Sequence, residues 1–558
     1  MGSFATRRRL VIPIAAAAAI AIGASACGGG SSSSGNNANK TGSANVTSNL
    51  KSGGTINFPL YAEPVSITPL HGQESEGTQV EKSIFAGLVD YDAKTLKVIP
   101  SMASSWSSNS NATVWTFHLR SGIYFYPKKY GQVTADTFVK DWGIACAKDT
   151  ASEVSYILAP IKGFDQCAAS TNHVLSGVKA LDPHTLQVTL SNPFADFPTT
   201  LGHPVSWAFP PQLADTPAKQ KQFEHHPVGA GPFYFVSWDH NKDIVIKKNP
   251  DFFGVKAHID EVNFPIFPDG DESAAFLAFK AGKLDYATVP TGQVRATQSD
   301  PKLGKDYYHA PELAIYYYGF TLKGNNPVAK NKTLRQAINY ATNSPAVVNQ
   351  VNEGVPTVAD GLVPPGIPGY TKGVSPYHYD PAKAKQLLKQ SGFKGQLTLG
   401  YNTDQGHQRI AEALIQGYKA VGLNVKAENF EWGTYLDKLE KGEFSFWRLG
   451  WIADYPSMDN FIYPMFYSKE AGNNNVTFYN NPKVDQMLLK ARAETDTAKR
   501  DQMYTQIEKV ILADAPEIPI YFYGRAGVIS PQAQNFLYDA MGIAHFNLMG
   551  VDPSKPAT

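Results

Sequence analysis

The chain has 558 residues, with 50 basic and 49 acidic side chains and a formal net charge of +1. This balance argues against nucleic acid or an anionic membrane surface as the partner. Aromatic residues make up 12% of the chain, more than a core alone requires. Their apolar rings suit the walls of a dry interior cleft, and the polar tips of Tyr and Trp can form hydrogen bonds there.

Residues 1–26 have the pattern of an export signal peptide. Arginines at residues 7–9 precede the apolar stretch "LVIPIAAAAAIAIG", which is too short to favour staying as a membrane span. Small residues at Ala24 and Ala26 fit a cleavage site, and Cys27 directly after them resembles the lipidated cysteine of bacterial lipoproteins. We expect Cys27 to anchor the protein to the outer face of the cell membrane. The alternative is an ordinary secretory peptide with an incidental Cys27, because alanine stands where the lipid motif usually has leucine.

Residues 27–52 are predicted to be a lipidated flexible tether. After Cys27 this segment consists mainly of Gly, Ser, Asn and Thr, which cannot bury enough apolar surface to fold. A coil of this kind reaches roughly 25 to 30 Å. The tether would hold a folded body close to the membrane without spanning it.

The remaining body is about 500 residues long, which is more than one hydrophobic core usually holds, so we expect two or three domains. Strands are predicted in "GGTINFPL", "TVWTFHLR", "HTLQVTL" and "DIVIKKN". Helices are predicted in "NKTLRQAINYAT", "DPAKAKQLLKQSGF" and "HQRIAEALIQGYKAVG". The fold class is therefore α/β.

Two cysteines of the body are predicted to form a disulfide. Thr134 is placed to cap a helix whose Phe138, Trp142 and Cys146 recur on one face, so Cys146 points inward. The exported location favours a bridge from Cys146 to Cys167, worth about 3 kcal/mol in the chain-entropy model. Two separate buried thiols are the alternative.

A parallel sheet is predicted in the C-terminal half. The order strand "LTLGYN", helix, strand "LNVKAENF", helix "WGTYLDKLEKG", strand "FSFWRLGW" makes a βαβαβ unit. Ligands of such sheets bind at the carboxyl ends of the strands, where "GWIADYP" places an acid among aromatic residues. Motifs of serine hydrolases, P-loop proteins, zinc proteases and C-x-x-C oxidoreductases do not occur in the sequence, so we predict no enzyme and no cofactor.

The segment "SMASSWSSNSNATVWTFHLRSGIYFYPKKYGQVTADTFVKDW" resembles the signature of the family 5 extracellular solute-binding proteins, the receptors of peptide and nickel ABC importers. Further matching segments follow in the family's order, among them "VKALDPHTLQVTL", "VGAGPFYFVSWDHNKDIVIKKNPDFFG", "AIYYYGFTLKGNNP" and "EIPIYFY". One surface loop departs from the family pattern, since "FYPKKYGQ" replaces F-x-D-G-x-P.

The resemblance implies a periplasmic-binding-protein-like two-lobed hinge fold with an additional domain. Lobe I would contain residues 53–86, 209–313 and 520–558, the additional domain residues 87–208, and lobe II residues 314–519. Chain crossings near Ala314 and Ile520 would form the hinge. Ligand would close the lobes, and the permease would recognise the closed form.

The resemblance also implies a ligand site in "WRLGWIADYPSMDNF". Asp454 occupies the position that receives the α-ammonium of a peptide, with Trp451, Tyr455 and Tyr317 as walls of the slot. Arg448 occupies the position that meets a ligand carboxylate in oligopeptide binders. Asp454 could instead cap a turn or pair with an arginine of the protein. The aromatic residues could instead be ordinary core residues, and Arg448 could be a surface or inter-strand residue.

The predicted function is the monomeric, membrane-anchored binding component of an ABC importer that takes up oligopeptides. A nickel, metallophore or glycan receptor of the same fold is the alternative, although no metal-ligand spacing occurs in the sequence. A hydrolase with Asp454 and Asp459 as paired carboxylates is the enzyme alternative.

Overall fold

The computed structural model describes residues 49–72, 74–267 and 270–556. The predicted signal peptide, Cys27 and most of the predicted tether lie outside the described residues.

Strands and helices alternate along this part of the chain, as the α/β prediction requires. The strands are β1 (Thr55–Asn57), β2 (Val89–Tyr91), β3 (Val98–Pro100), β4 (Ala103–Ser108), β5 (Val114–Leu119), β6 (Val178–Asp182), β7 (Thr185–Thr189), β8 (Phe233–Asp239), β9 (Asp243–Lys248), β10 (Glu261–Pro265), β11 (Tyr286–Thr288), β12 (Tyr307–Phe320), β13 (Thr357–Val358), β14 (Gln396–Asn402), β15 (Asn424–Phe430), β16 (Phe446–Ile452), β17 (Glu517–Ile529), β18 (Ala533–Gln534) and β19 (Gly550–Val551). The α-helices are α1 (Ser75–Ile84), α2 (Ala135–Cys146), α3 (Phe164–Ala168), α4 (Phe197–Thr200), α5 (Pro217–His225), α6 (Glu272–Lys280), α7 (Val294–Ser299), α8 (Leu303–Asp306), α9 (Pro327–Lys330), α10 (Lys332–Ala341), α11 (Ser344–Ala346), α12 (Pro381–Ser391), α13 (Gln405–Ala420), α14 (Trp432–Lys441), α15 (Met458–Phe466), α16 (Pro482–Ala493) and α17 (Thr497–Asp514).

Three sheets organise the body. Strands β1, β10, β9 and β8 form a four-stranded sheet, and β4, β5, β7 and β6 form a second one. The largest sheet has the order β11-β17-β12-β16-β14-β15, with β13 also paired to β17. The quoted strand and helix stretches of the sequence analysis all contain an element of the predicted type.

Two long antiparallel strands, β12 and β17, run through the largest sheet. Their N- and C-terminal halves pair in two blocks, separated by a register shift between Pro311 and Ile315. Ala314 lies at this irregularity, and Ile520 lies on the facing strand, where Phe522 pairs with Ile315. The two residues named for the hinge therefore lie on neighbouring strands of one sheet.

The βαβαβ unit is present as predicted. Strand β14 pairs in parallel with β15 on one side and with β16 on the other. The chain therefore moves from β14 through α13 to β15, and then returns through α14 to the opposite side of β14. The reversal puts a topological switch point at the carboxyl ends of β14 and β16, the place where parallel sheets bind ligands.

Helix α2 begins after Thr134, which forms a capping box with Thr137, so the predicted cap is confirmed. The buried face of the helix carries Phe138, Trp142 and Cys146. Cys146 faces Cys167 of α3 with their Cα atoms 5.8 Å apart, a separation that a disulfide spans, and the structure joins the two sulfurs.

Candidate functional site

A cavity of about 480 Å³, here called the ligand cavity, lies beside the last residues of β16. One wall comes from residues of the predicted additional domain, between Glu153 and Thr200. The other wall comes from the predicted lobe II, between Trp432 and Arg492. Its lining is mainly apolar and aromatic with a few polar groups, which is the usual composition of a site for organic ligands.

A tyrosine bridges β14 and β16 where their ladder ends. The ladder between β14 and β16 is limited to the pairs Leu399–Phe446 and Gly400–Trp447. Beyond them the buried Tyr435 of α14 inserts its hydroxyl, which accepts from the Arg448 amide at 3.0 Å and donates to the Gly400 carbonyl at 3.0 Å. The hydroxyl satisfies backbone groups that the end of the ladder leaves without a strand partner.

Side chains of β16 alternate between two faces of the sheet. Leu449 and Trp451 share one face, whereas Arg448 and Gly450 share the other. Trp451 lines the ligand cavity, and its indole Nε1 donates to Asn460 Oδ1 at 3.1 Å.

Asp454 follows the end of β16 and lines the ligand cavity. The residue is 8% exposed. Its carboxylate accepts from the Tyr156 hydroxyl at 3.1 Å and from Asn460 Nδ2 at 3.2 Å. The Asp454 amide in turn donates to Asn460 Oδ1 at 3.0 Å, so Asn460 fixes both the backbone and the side chain. The carboxylate thus accepts from both walls, from Tyr156 on one and from Asn460 on the other.

Tyr455, also predicted as a wall, lines the cavity and donates its hydroxyl to Asp459 at 3.0 Å. Burial, together with the neighbouring Asp459 carboxylate, raises the pKa of Tyr455 well above its ordinary value. The phenol therefore remains a hydrogen-bond donor at any physiological pH.

Asp459 is fully buried and belongs to the interior rather than to the cavity wall. Besides Tyr455, it accepts from the Tyr504 hydroxyl at 2.6 Å, and its Oδ1 lies 3.3 Å from Arg492 Nε. Paired catalytic carboxylates must both face the scissile bond. Since Asp459 does not line the cavity, Asp454 and Asp459 do not face it as a pair.

Arg492 is a cavity residue that the sequence did not reveal. Its guanidinium carbon lies 3.9 Å from the centre of the Phe194 ring and 3.8 Å from that of Tyr463, so aromatic rings cover both planar faces. Burial opposes the charged form, but Asp459 and the surrounding tyrosines outweigh it and raise the pKa of Arg492.

Arg448 and Tyr317 lie in the interior. They line neither the ligand cavity nor the smaller cavity described in the next paragraph. Arg448 is 2% exposed; its Nη1 donates to Asn402 Oδ1 at 3.0 Å and its Nη2 to the Tyr523 hydroxyl at 3.1 Å. Gly450 lines the cavity and lies next to the Arg448 guanidinium, because a Cβ at Gly450 would be 3.6 Å from Arg448 Nη2. Tyr317 packs edge-on against Trp447.

A second, smaller cavity of about 80 Å³ shares Ile452 and Asp454 with the ligand cavity. Its other walls include Glu74 and Lys82 near α1 and His545 near the C-terminus. Asp454 therefore lies where segments of all three predicted domains meet.

A family model described as "Bacterial extracellular solute-binding proteins, family 5 Middle" matches residues 97–473. The chain belongs to this family. The match covers the second sheet, the βαβαβ unit and the stretch that carries Asp454. Membership confirms the resemblance seen in the sequence and places the protein outside the cytoplasm.

Relatives of this family 5 protein are binding proteins. The oligopeptide-binding protein OppA of Bacillus subtilis is 28% identical over 512 residues, which is 88% of this chain and 92% of the relative. Heme-binding protein A of Haemophilus influenzae is 26% identical over 534 residues, 92% of this chain and 95% of the relative.

A solved structure supports the two-lobed fold. The periplasmic binding protein DppA of Helicobacter pylori, in complex with the peptide STSA, aligns with a TM-score of 0.73 at 26% identity. The alignment covers 90% of this chain and 98% of that one.

Two features of the described residues concern metal ions and membranes. No group of three or more His, Cys, Asp or Glu side chains in residues 49–72, 74–267 and 270–556 could hold a metal ion. Over the same residues, no helix is long and apolar enough to cross a membrane.

Proposed function

We propose that this family 5 protein captures oligopeptides between two lobes and delivers them to the permease of an ABC importer. The observation that carries the proposal is the Asp454 carboxylate, which is nearly buried at the edge of the ligand cavity and is contacted there by neutral donors.

The α-ammonium of a peptide would give this carboxylate a cationic ligand group. Burying an ionised carboxylate costs several kcal/mol unless a cation compensates it. The α-ammonium of an unblocked peptide would complete the set of donors already made by Tyr156 and Asn460. Since every free peptide carries this group, the contact gives affinity without side-chain selectivity.

Arg448 is proposed to act at the carboxylate end of the ligand. Its guanidinium is buried, and its Nε atom makes no hydrogen bond within the described residues. Gly450, which lines the cavity, is the part of the lining next to this guanidinium, since a Cβ there would lie 3.6 Å from Arg448 Nη2. Without an incoming anion, Arg448 is an inter-strand residue held by Asn402 and Tyr523.

Closure of the lobes is proposed to couple binding to transport. The ligand cavity is walled by residues far apart in sequence, from the predicted additional domain and from lobe II. A ligand that contacts both walls favours the arrangement in which they lie together. Residues 53–86, 209–313 and 520–558 would form lobe I, and rotation would occur where β12 and β17 pass near Ala314 and Ile520. The lipid on Cys27 would keep the receptor near its permease.

Calorimetry on purified protein freed of ligand tests the peptide contact. For a peptide that the unchanged protein binds at micromolar strength, Asp454→Ala should cost about 2 to 5 kcal/mol, or roughly thirty-fold to several-thousand-fold in Kd. N-acetylating the peptide should cost a similar amount, and both changes together should cost far less than their sum, because each removes the same pair.

Asp437→Ala is the matched control, since the Asp437 side chain is 70% exposed and lies outside both cavities. It should bind both peptides like the unchanged protein. Equal affinity for free and acetylated peptides, or normal binding by a folded Asp454→Ala variant, would make Asp454 a structural residue and remove the main support for peptide binding.

A further inference from the structure

The two walls of the ligand cavity also touch each other beyond the edge of the cavity. The segment Phe194–Asp196 of the predicted additional domain lies against helices α16 and α17 of the predicted lobe II. Phe194 and Arg492 line the ligand cavity, whereas Asp196 and Arg500 line neither the ligand cavity nor the smaller one. The contact therefore continues from the lining of the cavity into a place where protein meets protein.

A backbone hydrogen bond and a stacked ring form the first part of this contact. The Ala195 amide donates to the Arg492 carbonyl at 2.6 Å. Beside this bond, the Phe194 ring covers one face of the Arg492 guanidinium, with 3.9 Å between the ring centre and the guanidinium carbon. Because the bonded residues belong to different predicted domains, separating the walls would break both interactions.

An ion pair forms the second part of the contact. Asp196 Oδ1 lies 3.4 Å from Arg500 Nη2, and the two side chains are 14% and 9% exposed. Arg500 is held on the lobe II side, because its Nη1 donates to the Glu494 carbonyl at 3.1 Å. Asp196 is held on the opposite side, because it accepts from the Thr199 hydroxyl at 2.8 Å. Burial raises the pKa of Asp196, and Arg500 opposes that shift, so the arginine favours the charged carboxylate.

The charges of Asp196 and Arg500 depend on the meeting of the walls. In an open arrangement, water would solvate each charge separately. In the closed arrangement both are withdrawn from water, so removing either one leaves the other buried without this partner, which costs more than the loss of an exposed pair. All of these contacts are made between protein groups, so they form whether or not a ligand is present.

We infer that the segment Phe194–Asp196 forms a latch with Arg492 and Arg500 that holds the two walls together in part of the ligand-free molecules. The inference rests on the proposed function, in which the lobes open and close around a peptide. The apparent affinity for any ligand scales with the fraction of the protein in the binding-competent form. The latch therefore raises the affinity for all ligands by one common factor, whereas contacts with the ligand determine selectivity.

Asp196→Asn and Arg500→Gln test the latch. Each variant leaves one charge unpaired in the closed arrangement, so each should weaken the binding of Ala-Ala-Ala and of Val-Tyr-Val by the same factor, about ten-fold. The loss should appear mainly as faster dissociation in stopped-flow displacement measurements. Small-angle scattering on ligand-free protein should give a larger radius of gyration for each variant than for the unchanged protein, because the walls are apart in more of the molecules.

The double variant separates a pair from two independent charges. Asp196→Asn combined with Arg500→Gln leaves neither charge buried, so its loss of affinity should be smaller than the sum of the two single losses. Asp136→Asn is the matched control, because Asp136 is exposed and pairs with Lys140 within helix α2 of the additional domain. It should keep the affinity and the radius of the unchanged protein. Circular dichroism shows that each variant is folded.

The outcomes distinguish the latch from the function on which it rests. An unchanged radius or an unchanged affinity in folded Asp196→Asn overturns the latch, while peptide binding by the unchanged protein stands. A loss that differs between the two peptides also overturns it, since a contact outside the cavity acts on all ligands alike. Failure of both peptides to bind the unchanged protein overturns the proposed function, and the scattering of the ligand-free variants then still decides whether the walls are latched.

Discussion

Replacing Arg492 by methionine should destabilise the protein strongly, because it removes the charged partner of a fully buried carboxylate. Asp459 is 0% exposed, and its contacts are two tyrosine hydroxyls and the Arg492 guanidinium. Breaking a buried ion pair by removing one partner costs about 3 to 5 kcal/mol, since the other charge remains in a poorly solvated place. Lost contacts between the cation and the rings of Phe194 and Tyr463 add to this cost.

Urea unfolding followed by tryptophan fluorescence measures the effect. Arg492→Met should lower the free energy of unfolding by about 3 to 5 kcal/mol. Lys441→Met is the control, because its pair with Asp437 is 3.6 Å long and mostly exposed, and it should cost under about 0.5 kcal/mol.

The double variant Arg492→Met with Asp459→Asn tests the cause. Asparagine keeps one oxygen to accept from one of the two tyrosines, Tyr455 or Tyr504, and its Nδ2 can donate to the hydroxyl of the other. Because no charge is left buried, the double variant should be more stable than Arg492→Met alone. A loss below about 1 kcal/mol in Arg492→Met, or no recovery in the double variant, would refute the account of Arg492 as the compensating charge.

Three further predictions concern the disulfide, the lipid anchor and the closure of the lobes. Peptide mapping without reductant should recover Cys146 and Cys167 as one linked pair; two alkylatable thiols in native protein would contradict the bridge. Cys27→Ala should move the protein from the membrane fraction to the soluble one, and continued membrane association would exclude the lipid anchor. Small-angle scattering should report a smaller radius of gyration when a peptide saturates ligand-free protein, and an unchanged radius would argue against closure about Ala314 and Ile520.

Local patterns in the sequence predicted the elements that local chemistry determines. The periodicity around Trp142 and the cap at Thr134 correctly located α2, and the alternation of strands and helices correctly located β14, β15 and β16. The same reasoning placed Asp454 after the end of a parallel strand. The cavity at that place follows from the handedness and order of the strands.

Contacts between distant segments could not be predicted in this way. Tyr156 reaches Asp454 across 298 residues of sequence, and Arg492 reaches Asp459 from another helix. Neither residue lies in a motif, and each acquires its role only through packing. Tyr435 is similar, because its spacing on α14 gives no sign that its hydroxyl bridges two strands.

The position of Arg448 follows from the alternation of side chains along a strand. Arg448 and Trp451 are three residues apart, and side chains three apart in a strand point to opposite faces. Both cannot line the same side of the sheet, and the structure places Trp451 on the cavity side with Arg448 behind Gly450. Tyr317 shares the face of Trp451 but lies deeper, against Trp447.

Under the proposed function, the position of Asp454 links affinity to closure. Its carboxylate is contacted by Asn460 from its own wall and by Tyr156 from the opposite wall, so these two donors reach it together only when the two walls meet. A ligand ammonium at this point would be bound more strongly in the closed arrangement, where less water screens the charge. A ligand shifts a conformational equilibrium only by its difference in affinity for the two states. A carboxylate completed by two separate segments supplies that difference, which one on a single rigid wall would not.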